Sequence, residues 1–223
     1  MTYSAAVHFT SVFSKYTNAT LIGEPTPGRP NHYGAQRRFK LPNHPKITIA
    51  CSIDYYQDSE PFDFNTTHVP DILTKMTSAD YRNNIDPVMR AVKNYNRIYQ
   101  RVQAVALELE NAYTSNDFQA MVKRYHSKKQ ELLDSGYNLE KFFSEFWENQ
   151  FSNNKKNKAE SIDYLTLAVN ECPESIDLCY YLAYHLEKQG QLDDAKKFYN
   201  FCLKLNPAHH YAKMKLDLLK LAK

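Results

Sequence analysis

The sequence predicts an α+β front segment followed by an all-α rear built of helical hairpins. Three observations carry that expectation. Eight of the ten prolines (Pro25 to Pro87) and three of the five glycines (Gly23, Gly28, Gly34) lie before residue 93. The same stretch holds short β-type runs separated by turn residues. After Val92, apolar and aromatic residues recur every three or four positions almost without a break, which is the spacing of amphipathic helices. The 223 residues are enough for one large domain or two small ones. The expected division is a front domain over 1–92, connecting helices over 93–152, and a repeat region over 153–223.

In the front segment, Val7, Phe9, Val12, Phe13 and Tyr16 form an amphipathic stripe, so Ser4–Tyr16 is expected to be a helix. Ala19–Gly23 reads as a short buried strand. Glu24–Gly34 has three prolines and two glycines and reads as a loop. Gln36–Leu41 and Lys46–Ile53 read as a hairpin closed by the four residues Pro42-Asn43-His44-Pro45, with Ile47, Ile49 and Cys51 alternating against Thr48, Ala50 and Ser52. Tyr55–Pro70 is polar and expected to be irregular. Asp86-Pro87 then opens a helix, with aspartate as cap and proline in the first turn.

Behind it, Tyr95, Ile98, Tyr99, Val102, Ala106, Leu109 and Tyr113 form one helical stripe. A second runs from Phe118 through Met121, Val122, Tyr125 and Leu132 to Leu133, and Gly136 ends it. A third holds Leu139, Phe142, Phe143, Phe146, Trp147 and Phe151, and a stripe so aromatic reads as core. The formal charge of +3 gives no general basic field for nucleic acid, and the lysine-rich run 153–158 reads as a solvated loop. Cys51, Cys172, Cys179 and Cys202 include no Cys-x-x-Cys pair and read as small buried residues rather than a disulfide framework. No set of side chains has metal-ligand spacing, and Gly23–Gly34 lacks the ending of a phosphate loop, so neither metal nor cofactor is expected. No apolar run approaches the roughly 20 residues of a membrane span.

Pro173 and Pro207 stand 34 residues apart, the period of tetratricopeptide repeats. With Pro207 closing a repeat, Leu182, Ala183 and Leu186 take the inner positions of one helix, Gly190 the turn, and Ala195, Tyr199 and Cys202 the inner positions of the next. Ser161, Leu165, Ala168 and Pro173 match the second helix of a preceding, degraded unit, whose first helix around Phe142–Phe151 slips out of register. Ala208–Ala222 reads as a closing helix. Such hairpins either bind a partner peptide or cap a neighbouring domain. With so few repeats the cap is the favoured reading.

A second resemblance lies in the front segment. It is carried by Thr2-Tyr3-Ser4-Ala5-Ala6, by Thr20-Leu21-Ile22-Gly23-Glu24-Pro25-Thr26-Pro27-Gly28-Arg29-Pro30-Asn31-His32-Tyr33-Gly34 and by Phe39-Lys40-Leu41-Pro42-Asn43. Weaker support comes from Tyr55-Tyr56-Gln57-Asp58, His68-Val69-Pro70-Asp71 and Asp86-Pro87-Val88. Together these resemble the C-terminal part of the tail-specific (C-terminal processing) serine peptidases over residues 1–92. The resemblance implies a nucleophile at Ser4, an oxyanion donor in the N–H of Ala5, peptide or protein substrates and an exported parent protein, although the chain shows no export signal. A serine at a helix start also makes a good cap. Arg29 occupies the position of the family's lysine base, and a guanidinium stays protonated and cannot serve as one. His32 is the nearest imidazole but has no motif behind it. His8, one turn after Ser4, is expected to face solvent or core. The resemblance also implies that the strands, second oxyanion donor and peptide-binding module of a whole peptidase lie ahead of this chain. The expectation is therefore a truncated serine-peptidase-type domain, inactive alone, with a non-catalytic protein-interaction module as the alternative.

Overall fold

A computed structural model describes residues 5–59, 65–152 and 158–221. The chain is mostly helical and divides into two compact units. The first comprises the described residues of Met1–Leu21 and Pro25–Val69, and the second those of Ile22–Glu24 and Pro70–Lys223.

The first unit holds helix α1 (Ala5–Tyr16) and an antiparallel ribbon of β2 (Asn31–Leu41) and β3 (His44–Gln57). The strands are longer than the alternation alone indicates. They are joined by the two residues Pro42-Asn43 rather than by four, because a register shift between Lys40 and Leu41 lets pairing run on to His44. Pairing likewise continues to Gln57, through residues expected to be irregular. Cross-strand pairs put Tyr33 with Tyr55 and Phe39 with Ile49 on one face, and His32 with Tyr56 and Gln36 with Ser52 on the other. The alternation predicts a half-buried strand, yet every residue of β3 is exposed. Cys51 is exposed with it, against the expectation of four buried cysteines. On α1 the stripe is buried only at Val7, while Phe9, Phe13 and Tyr16 are exposed. Periodicity identifies an apolar face but not whether anything covers it.

In the second unit, β1 (Ile22–Gly23) pairs in parallel with β4 (Ile72–Leu73). The strand expected over Ala19–Gly23 is thus reduced to its last two residues. Helix α2 (Ser78–Arg82) is opened by a capping box, in which the Thr77 hydroxyl accepts from the Asp80 N–H and the Asp80 carboxylate accepts from the Thr77 N–H. Helix α3 (Pro87–Lys93) starts as expected, its first two free amides bonded to the Asp86 carboxylate. The long helices follow: α4 (Tyr95–Asn116), α5 (Phe118–Ser135), α6 (Leu139–Trp147) with a π-turn over Glu148–Ser152, α7 (Lys158–Glu171), α8 (Ile176–Lys188), α9 (Leu192–Leu205) and α10 (His210–Leu221). Consecutive helices pack side by side as hairpins, α4 on α5, α6 on α7 and α8 on α9, with α10 against α9.

One apolar core runs through these helices, from Val102 to Leu219. Phe143 links three of them, lying 5.3 Å from the Tyr125 ring and 5.8 Å from that of Tyr164. Of the α4 stripe, Val102 and Leu109 are buried, together with Val105, which the stripe omitted. Tyr99, and Leu133 on α5, are exposed instead. Leu182, Ala183, Leu186, Ala195, Tyr199 and Cys202 are buried at the positions the repeat assigns them. Gly190 turns between α8 and α9 at φ +79°.

Candidate functional site

Ser4 lies outside the described residues. Ala5 is the first described residue of α1 and is exposed, as is Arg29. The motif segments of the front unit do meet. The Val7 side chain packs so closely on Gly28 that a β-carbon there would stand 2.9 Å from it, which is why the Gly-Arg-Pro turn needs its glycine. His8 faces solvent, one of its two expected settings, and its Nδ1 lies 2.7 Å from Oδ1 of Asp58, whose side chain is buried. His32 points its Nδ1 at the Pro30 carbonyl, 3.2 Å away, and stacks on Tyr56. It is thereby occupied in holding the loop.

A concavity of the helical unit lies between α4 and the α6 segment with its π-turn. It has a volume of about 690 Å³, within the roughly 300–1,000 Å³ usual for ligand pockets. The 3.6-residue period places Tyr99, Gln103, Ala106, Leu107 and Glu110 along one side of α4 facing it. Phe142, Glu145 and Phe146 line the opposite wall, and the π-turn adds the amides of Asn149 and Gln150. A π-turn inserts one residue into the helical ladder and frequently marks a functional position. Glu145 is held by the Tyr137 hydroxyl, which donates to it at 3.0 Å. Burial and that carboxylate push the Tyr137 phenol well above its usual pKa.

Chemically this groove offers amide hydrogen bonds, two carboxylates and an apolar floor. None of its described lining residues is a serine, cysteine, histidine or lysine. Sequence reading missed it, although one signal was present: Leu107 is an apolar residue outside the α4 stripe, and it is 56% exposed.

At the far end of the stack, Glu187 ties three helices together. It accepts from Tyr199 Oη at 2.7 Å and pairs with Lys215 at 2.8 Å, so α8, α9 and α10 share one carboxylate. Burial raises its pKa, but these two partners outweigh burial and hold it below the usual value. Trp147 of α6 stacks on Tyr181 of α8 at 5.6 Å, so the neighbouring hairpin contributes its aromatic edge as well.

No protein-family model matches the chain. No curated protein matches it either. Among solved structures, one titled MamA AMB-1 is 14% identical, covering 60% of this chain and 86% of that one with a TM-score of 0.27. A likeness that slight carries no argument, so the reading of function stands on the chain's own geometry.

Proposed function

We propose that this chain is a non-catalytic protein-interaction module of tetratricopeptide type, with the α4–α6 groove as its docking surface. One observation carries the reading, namely a 34-residue period expressed in both helix starts and burial. The starts of α7 and α9 are 34 residues apart, as are those of α8 and α10. Positions one period apart are buried alike: Leu165 with Tyr199, Ala168 with Cys202, Leu178 with Ala212, Leu182 with Leu216. From α6 to α8 the interval is 37, and the extra residues fall around the lysine-rich run. The α4–α5 pair supplies a further hairpin and brings the stack to three, the number at which repeat arrays become stable.

Leu107→Arg is the direct test. The side chain is exposed, so the variant retains the fold, but the new charge faces the apolar floor of the groove. On an array of immobilised peptides, the wild-type chain is expected to bind a defined subset. The variant is expected to lose more than about tenfold in affinity for the same spots, since the substitution removes an apolar contact and fills the groove with a long charged side chain that Glu110 and Glu145 would hold there. Binding that the variant retains in full would sink the assignment of the groove.

The meeting of motif segments in the front unit, Gly28 on Val7 and His8 on Asp58, favours a second reading, a serine-peptidase-derived unit. On that reading Ser4 is the ancestral nucleophile, with Ala5 as oxyanion donor, and activity is lost because Arg29 supplies no base.

A further inference from the structure

A second groove, on another face of the helical unit, differs from the first in charge. It has a volume of about 470 Å³ and lies among β4, α3, the start of α4 and the end of α5. Lys75, Arg90, Arg97 and Arg101 line it, against Asp134 as the only acidic lining residue among those described. Arg90 is partly engaged, 3.4 Å from the Asp80 carboxylate. Asp134 accepts from Gln130 at 2.7 Å. Arg97 and Arg101 are exposed and take part in none of the ion pairs among the described residues.

The placement of those two arginines works against the isolated helix. They stand four residues apart on one face of α4, where like charges repel. Arg97 sits in the first turn, where the helix dipole is positive and disfavours a cation. Asn94 does not relieve it, because its side chain makes no cap hydrogen bond to α4 and donates instead to the Arg90 carbonyl. Thr74 also lines the groove, with its hydroxyl oxygen turned away from solvent. Its floor is apolar, with Ala91, Ile98 and Ile72. An anion resolves the charge conflict, and an aliphatic neighbour of that anion fits the floor. A planar guanidinium meets a carboxylate through two parallel hydrogen bonds, so a pair of them reads successive carboxylates.

We infer that this groove docks an acidic, leucine-containing segment of a partner polypeptide, with carboxylates on Arg97 and Arg101 and aliphatic side chains on Ile98 and Ala91. The inference rests on this groove alone and is independent of the α4–α6 assignment. The test is fluorescence anisotropy of the full chain with a fluorescein-labelled peptide of Glu-Glu-Leu repeats. Binding is expected, weakening as salt rises. The Lys-Lys-Leu counterpart is expected not to bind. The paired variants R97Q/R101Q and R97E/R101E each lower affinity by more than about tenfold, since hydrogen bonds to charged groups are worth about 1.5–3 kcal/mol. Leu107→Arg leaves this binding intact, which separates the two grooves. Both arginines are exposed, and unchanged circular dichroism of either pair verifies the fold. Equal binding of the two peptides, or unchanged affinity in both paired variants, would overturn the inference. So would displacement of the peptide by inorganic phosphate at equal concentration, which would mark a small-anion site.

Discussion

Phe143→Ala is expected to lower the stability of the helical unit by about 3–5 kcal/mol, the range for removing a fully buried phenyl ring. The ring is 1% exposed and meets Tyr125 from α5 and Tyr164 from α7. The Tyr164 hydroxyl donates to the Phe143 carbonyl at 3.1 Å, so the phenyl ring and the backbone of one residue hold the same neighbour. Truncation would leave a void between hairpins, and the two tyrosine rings, fixed by their own contacts, could collapse into it only partly. Urea unfolding of the full chain, followed by circular dichroism at the helical band, reads the loss as a lower midpoint. Phe9→Ala is the natural comparison, because Phe9 is 59% exposed and its loss should barely move the curve. A shift below about 1 kcal/mol for Phe143→Ala would mean that α6 is not the junction of the stack.

Gly136→Val is expected to cost about 2–5 kcal/mol. Gly136 ends α5 at φ +73°, in the left-handed region, where a β-branched residue is strained by about 1–2 kcal/mol. Its amide closes α5 on the Leu133 carbonyl, and its own carbonyl accepts from the Leu73 N–H at 2.7 Å. A β-carbon would stand 2.8 Å from the Leu73 carbonyl oxygen, which is backbone and has little room to move, so overpacking adds about 1–3 kcal/mol. Gly190 provides the contrast: it has a similar φ of +79° but open space around the missing side chain. Gly190→Val should therefore carry the conformational part alone. Thermal unfolding of the two variants checks the difference, and equal losses would mean that the β4–α5 contact contributes little.

The rear of the chain was legible because its signals are local and redundant. Asp86-Pro87 and Gly136 mark helix ends through capping chemistry that needs no tertiary context, and both act as their residue types dictate. The inner positions of the repeat are apolar at fixed spacing, and the helices bury them for that reason. The front was less legible. The β3 alternation and the α1 stripe are correct as amphipathic patterns, yet Ile53 and Phe9 remain exposed, since a pattern cannot name its covering layer. The grooves escaped for a different reason. Leu107, Gln103 and Gln150 come together only when α4 and the π-turn are packed, and Arg90 and Arg97 belong to different helices. Asp58, which receives His8, is fifty residues away in sequence, a separation no local spacing encodes.

On the proposed reading the chain acts by contact rather than by covalent chemistry, and labelling with a fluorophosphonate probe tests that most directly. The wild-type chain and Ser4→Ala are incubated with the probe side by side and read by intact mass. No adduct is expected on either, because on the resemblance to tail-specific peptidases Arg29 takes the place of the lysine base, and a guanidinium stays protonated. An adduct on the wild-type chain that disappears in Ser4→Ala would contradict that reading, and would make Ser4 a working nucleophile.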